Sequence, residues 1–231
     1  MLLECYNLSK SYGNLLALNN VSIQIEKGKI VGLLGPNGSG KTTLIKLLNG
    51  LLAPSSGSIR ICGYPVGIES KKHISYLPER TYLNPDMKVK DCVQKFKDFY
   101  DDFDETKAFN LIEQLKIDKD KKLKYLSKGT KEKVQLVLVM SRNTDLYILD
   151  EPIAGVDPAA RDLILNLIKT NLNENSSLII CTHLISDIEC ILDEVILIND
   201  GQIKLHENTE VLKAKYNGSI NDAFREVFRC F

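Results

Sequence analysis

The chain has 231 residues, 44% hydrophobic and 26% charged, which is enough apolar material for one large domain or a domain with a lobed insertion. Lys+Arg and Asp+Glu each number 30, so the formal net charge is zero, which excludes nucleic-acid binding driven by bulk charge. No run reaches the ~18 uncharged apolar residues of a membrane span, and the start MLLECYNLSK lacks the basic flank and apolar run of a secretory signal. A cytoplasmic chain is the expectation. The six cysteines stand at positions 5, 62, 92, 181, 190 and 230; none are paired at metal-ligand spacing, so free thiols in a reducing compartment are expected.

From Leu2 to Ile25 the pattern is short and strand-like, and Val21-Ser22-Ile23-Gln24-Ile25 alternates apolar and polar. Glu26-Lys27-Gly28 reads as a turn, and Ile30 to Leu34 as a short buried strand. Next comes Gly35-Pro36-Asn37-Gly38-Ser39-Gly40-Lys41-Thr42, with Thr43 beside it, opening a helix predicted over 42–52. This is the GxxxxGK[ST] pattern in the strand–loop–helix context it requires. The glycines let the backbone wrap around phosphate, the backbone N–H groups and the helix start face it, and Lys41 adds a cation. The Thr42 hydroxyl is suited to Mg²⁺. Four such fixed positions match by chance in roughly one chain of this length in a hundred. The loop therefore predicts ATP binding.

Pro54 to Gly57 breaks the chain, and Ser58 to Cys62 reads as a strand. Lys88 to Ser141 is rich in Lys, Asp and Glu and helical by period, which predicts a helical lobe, about 79–141, inserted in an α/β core over 1–78 and 142–207. Val134 to Met140 is apolar enough for a strand, but it follows a helix-start signal and is read as a buried helix. Leu146 to Leu149 is a strand that ends in Asp150-Glu151, which places a carboxylate at the sheet edge where Mg²⁺ and the phosphates belong. Glu151 beside it is suited to polarise an attacking water. A helix over Pro158–Thr170, a strand over Ser177–Thr182 and a helix over Leu184–Leu192 follow. Glu194 to Ile198 and Gln202 to Leu205 flank the hairpin signal Asn199-Asp200-Gly201, and Thr209 to Phe231 reads as two short amphipathic helices. The alternation predicts a largely parallel sheet covered on both faces.

Leu126-Ser127-Lys128-Gly129-Thr130 stands immediately before a helix and about twenty residues ahead of the acidic strand. With the loop and the Asp-Glu pair, it makes the chain resemble the ATP-binding subunit of an ABC (ATP-binding cassette) transporter from about Leu2 to Glu207. The family signature is LSGGQ; here Lys128 replaces the first Gly and Thr130 the Gln. The resemblance implies a P-loop NTPase core with a mainly parallel sheet, an N-terminal antiparallel β subdomain and an inserted helical subdomain. It implies that Ser127 and Gly129 close over the γ-phosphate bound by a second subunit. Tyr12 matches the aromatic that stacks on adenine, His183 the histidine at the γ-phosphate, and Asp157, in Ala154-Gly155-Val156-Asp157, the loop that crosses the dimer interface. Where many members carry a glutamine that reaches Mg²⁺ and water, Tyr76-Leu77-Pro78-Glu79 places Glu79.

The resemblance further implies ATP and Mg²⁺ as cofactors, with Glu151, His183 and Lys41 catalytic and Thr42, Asp150 and Glu79 around the metal. The partners it implies are an integral-membrane permease and a second ATPase subunit, identical or not, with no nucleic acid. The chain is then expected at the cytoplasmic face of the membrane, peripheral through the permease, and the LSKG and YLPE forms look like cassettes of exporters. Two rival classes are a soluble ABC ATPase of DNA, ribosome or iron–sulfur work and another P-loop hydrolase or kinase. The guanine-selecting NKxD of GTPases is absent from the sequence.

Overall fold

The computed structural model describes residues 1–216 and 218–229. The chain begins with two long antiparallel strands, β1 (Leu3–Tyr12) and β2 (Leu15–Ile25), rather than short ones. β3 (Ile30–Leu34) runs into the phosphate-loop segment and α1 (Lys41–Leu48). This helix stops short of the expected Leu52, because Gly50 turns into the left-handed region at φ 63° and ends it. β4 (Ser56–Ile61) and β5 (Tyr64–Pro65) complete a four-stranded antiparallel sheet in the order β2-β1-β4-β5.

α2 (Ile68–Lys72) and β6 (Ile74–Leu77) lead to the helical region, α3 (Val89–Phe99), α4 (Glu105–Gln114) and α5 (Lys128–Met140). The sheet resumes with β7 (Leu146–Asp150), α6 (Pro158–Thr170) and β8 (Ser177–Cys181). The helix expected over Leu184–Leu192 is broken: α7 (Ile185–Ile188) passes into a 3-10 turn over Glu189–Ile191. Its apolar residues Ile185, Ile188 and Ile191 still face the core, so burial rather than helical hydrogen bonding holds the segment. β9 (Glu194–Asn199) and β10 (Gln202–Asn208) form the expected hairpin, with Asp200 and Gly201 both at positive φ. α8 (Thr209–Lys215) and α9 (Ile220–Arg229) follow; the end of the second expected helix, with Cys230, lies outside the described residues.

The second sheet has the order β10-β9-β3-β8-β7-β6 and is parallel throughout except for the edge strand β10. Its parallel strands are largely buried on both faces, whereas the edge strand β10 is not, and the strand period of two sorts their side chains into two cores. Val31, Leu33, Leu146, Ile148, Ile179, Cys181, Ile196 and Ile198 pack with α1 and the antiparallel sheet. Leu34, Tyr147, Leu149, Leu178, Ile180, Val195 and Leu197 pack with the helices, including Val93, Leu111, Ile112 and Val137 of the helical region. A one-residue slip of any central strand would exchange its two sets.

The helical region is tied back to the sheet by Arg142, 5% exposed. Its guanidinium donates to both carboxylate oxygens of Asp102, at 2.9 Å each, and to the carbonyl of Ile74, and it lies 4.0 Å from the centre of the Tyr100 ring. A planar fork suits this bidentate and stacked arrangement, which a lysine could not reproduce. Among the described residues no helix is long and apolar enough to cross a membrane.

Candidate functional site

The phosphate loop leaves the carboxyl end of β3, where the sheet edge supplies a rigid base. Two neighbours grip it. The backbone N–H of Gly201 donates to the Ser39 carbonyl, and that of Asn19 to the Gly201 carbonyl, so the β9–β10 turn clasps the loop against β2. At Gly40 φ is 108°, and a Cβ there would lie 2.8 Å from the Ala17 carbonyl oxygen. At Gly35 a Cβ would lie 2.2 Å from the carbonyl oxygen of Ile198. Both positions therefore exclude a side chain. Lys41 folds over the loop and donates to the carbonyls of Gly35 and Pro36 at 2.7 and 2.8 Å, which holds its ammonium where phosphate oxygens can draw it away. The Ser39 hydroxyl is buried without a protein partner, and the loop therefore holds an unfulfilled polar group suited to a ligand oxygen.

A cleft of about 620 Å³ opens here. Tyr12, Asn37, Gly38, Ser39, Gly40, Lys41, Thr42 and Thr43 line one side; Glu79, Asp150, Glu151 and His183 line the other. Gly35 and Pro36 lie behind the loop and enter through their carbonyls. Tyr12 is 45% exposed, with Lys10 over its ring at 5.3 Å, which leaves a broad aromatic face available for stacking.

Asp150 ends β7 and is 5% exposed. Burial pushes its carboxyl up to about 6, the Glu79 and Glu151 carboxylates push the same way, and a hydrogen bond with the Cys181 thiol and the charge of Lys41 oppose them. Glu151 follows in the left-handed region at φ 54°, a strained backbone for a residue with a Cβ. Its N–H donates to the Cys181 carbonyl, its Oε2 accepts from the Thr182 hydroxyl at 2.9 Å, and its Oε1 lies 3.0 Å from His183 Nδ1. A carboxylate only accepts, so Nδ1 carries the proton in this bond. The strained turn thus aims Glu151 across the cleft and two residues after β8 hold it there.

Thr42, Asp150 and Glu79 offer one hydroxyl and two carboxylates, an all-oxygen set that suits Mg²⁺. Asp150, Glu79 and Glu151 share this space with like charge, which adds to the burial that chiefly raises the Asp150 carboxyl. The residues fit the ion.

Ser127, Gly129 and Asp157 lie outside this cleft. Ser127 is exposed and caps α5, its Oγ accepting from the Thr130 N–H at 3.2 Å. A Cβ on Gly129 would lie 3.0 Å from the Gly155 carbonyl oxygen, and Glu132 packs against Gly155, so the 154–157 loop sits beside the start of α5. Asp157 is exposed at the start of α6. Sequence reasoning did not assign Cys181, Thr182, Asp200 or Gly201 to the site. The Asn-Asp-Gly hairpin signal located the last two, but only the fold brings that turn onto the phosphate loop.

The family model described as ABC transporter matches residues 18–154. The SkfA peptide export ATP-binding protein SkfE of Bacillus subtilis is 33% identical over 208 residues, covering 87% of each chain. A solved structure of an ATP binding subunit of an ABC transporter superposes with a TM-score of 0.88 at 26% identity, over 99% of this chain and 100% of the other. The dimeric post-hydrolysis structure of the cassette MJ0796, bound to ADP and Pi, shares the fold with a TM-score of 0.79 at 21% identity, over 90% of this chain and 98% of the other.

Proposed function

The chain belongs to the ABC transporter family as an ATP-binding, ATP-hydrolysing subunit of exporter-like type, and we propose that it drives export through a separate membrane permease. The observation that carries the reading is the division of its motifs. The phosphate loop, Asp150, Glu151 and His183 share one cleft, whereas Ser127, Gly129 and Asp157 lie outside it, with Ser127 and Asp157 exposed. Two copies, or this chain and a second subunit of its kind, complete each other's sites face to face.

In this reading Tyr12 stacks on the base, and the backbone N–H groups of 35–40 with Lys41 bind the phosphates. Ser127 and Gly129 of the opposing subunit cover the γ-phosphate from the start of α5. Glu151 takes the position of general base, accepting a proton from the water that attacks in line. His183 orients Glu151 through Nδ1; if it also donates to the γ-phosphate through Nε2, both ring nitrogens are protonated. Thr42, Asp150 and Glu79 would hold Mg²⁺, which when bound would supply positive charge to offset that developing on the phosphates. The turn at Pro78-Glu79 joins β6 to the helical region, so occupancy of the cleft passes to the segment 79–141, which meets the permease.

This reading places the chain at the cytoplasmic face of the membrane, held there by the permease. The similarity to SkfE supports the export direction. The test is reconstitution with candidate permeases, proteins of about six spans of ~20 apolar residues each. The expected result is ATP-dependent substrate accumulation in inside-out vesicles. ATP hydrolysis that is indifferent to every such permease, but stimulated by DNA or ribosomes, would overturn it.

A further inference from the structure

At the opposite, amino-terminal edge of β6 and β7, three side chains from distant parts of the chain meet. Cys62 follows β4 at φ 51°, His73 ends α2, and Asp145 precedes β7. One ligand atom of each, a sulfur, a ring nitrogen and a carboxylate oxygen, lies within 4.8 Å of the other two. All three residues are half-buried. Asp145 is the hub. Its Oδ2 lies 2.7 Å from His73 Nδ1, its Oδ1 accepts from Lys27 at 3.3 Å, and the Cys62 sulfur lies within 4.8 Å. The ring of Tyr64 stacks on His73 at 5.4 Å and 11°, which fixes the plane of the imidazole.

We propose that Cys62, His73 and Asp145 form a binding site for one zinc-type divalent transition-metal ion, with water completing the coordination. The donor set selects the ion: thiolate and imidazole suit zinc, whereas magnesium and calcium take oxygen. On binding, the S–H bond of Cys62 breaks, its proton passes to solvent and a sulfur–metal bond forms. His73 contributes a ring nitrogen lone pair as the neutral imidazole. Thiolate and carboxylate then balance the dication, while Lys27 stays on the outer carboxylate oxygen. In tetrahedral zinc, neighbouring ligand atoms are roughly 3.3–3.6 Å apart, so the 2.7 Å His73–Asp145 hydrogen bond opens as the ion replaces its proton, and the Cys62 sulfur, within 4.8 Å, closes in by side-chain rotation.

A nucleophilic reading of the same three residues is disfavoured, because burial and the Asp145 carboxylate push the Cys62 thiol towards its protonated form. Cys62 extends from the antiparallel sheet, and His73 and Asp145 stand at the start of parallel strands, so the ion would staple the two sheets together.

The test uses the full chain, stripped with chelator and titrated with Co²⁺ and Zn²⁺. One equivalent of Co²⁺ should give the near-ultraviolet thiolate-to-cobalt absorption, and Zn²⁺ should abolish it. Cys62→Ser and His73→Gln should each lose the band, and Cys190→Ser, at the exposed cysteine elsewhere, should keep it. A hundredfold excess of Zn²⁺ over its Kd should raise Tm by roughly 5–10 °C in the unaltered chain and not in Cys62→Ser. Zn²⁺ should also slow alkylation of Cys62 at least tenfold, read by peptide mass on the unaltered chain, so the test stands even if a variant folds poorly. Absence of the thiolate band, its persistence in Cys62→Ser, or unprotected alkylation of Cys62 would overturn the proposal.

Discussion

The cleft at the end of β3 and the exposed start of α5, the two halves of the proposed nucleotide site, are of opposite construction. The first is enclosed: Gly40 admits no Cβ, Ser39 is buried, the β9–β10 turn clasps the loop and Asp150 sits at 5% exposure. The second is open: Ser127 and Asp157 are exposed and the α5 cap is satisfied within the chain by Ser127 itself. A site that must bind nucleotide in each subunit can be prebuilt on a sheet edge. A site that must also release its ligand at each turnover is better left as a surface, complete only when two subunits meet.

The largest expected effect tests the enclosed site. Glu151→Gln keeps the shape of the side chain and can still accept from Thr182, but it cannot take a proton from water. Hydrolysis should fall by about 10²–10⁴-fold while ATP binding persists, and dimers should accumulate in light scattering. A variant that turns over at the unaltered rate removes Glu151 from the chemistry.

The next breaks the open site alone. Ser127→Asp keeps an N-cap residue, so Tm should move little, but it sets a carboxylate against the γ-phosphate of the other subunit. Like charge at such a contact costs several kcal/mol, so ATP-driven dimerisation should weaken by about a hundredfold. ATP binding by the single chain, followed by a fluorescent analogue, should not change. Equal loss of both would mean that the two sites are not separate.

The enclosed site also carries a cost that stability can read. The Asp150 carboxyl stands at about 6 in the fold against 3.8 in the unfolded chain, chiefly through burial. A raised value means a contribution present below pH 3.8 that is lost as pH rises through about 6. About two pH units at about 1.4 kcal/mol each make this roughly 3 kcal/mol at most. Asp150→Asn does not titrate, so without nucleotide it should gain stability over the unaltered chain above pH 6 and lose that advantage near pH 4. Chemical denaturation at the two pH values measures the difference. The smallest effect belongs to the rim: Tyr12→Ala should weaken ATP binding about tenfold, from loss of one base–aromatic stack, with hydrolysis at saturating ATP nearly unchanged.

Much of the enclosed site was legible because its chemistry is local. The loop 35–42 states its own geometry through Gly35, Gly40 and Lys41, and Leu146 to Glu151 is an apolar strand with its carboxylates attached. The period of the pattern in 88–141 gave helices there, including Val134–Met140, despite its strand-like composition. The broken segment after Leu184 was not legible, since its apolar spacing records which face is buried and not whether the backbone hydrogen bonds continue.

What the sequence determined by itself is the list of candidate reacting groups and the order of the elements that carry them, because a phosphate-loop pattern and strand–helix alternation are written in short stretches of chain. Tertiary structure alone decided which groups share a space. It set the turn at Asp200-Gly201 on the phosphate loop, Thr182 on Glu151, and Glu79 beside Asp150. It also kept Ser127 and Gly129 out of the cleft and brought Cys62 to His73 and Asp145 across 83 positions of chain. Such neighbours are joined by sheet order and burial, which depend on the whole core closing at once, and no local spacing encodes them.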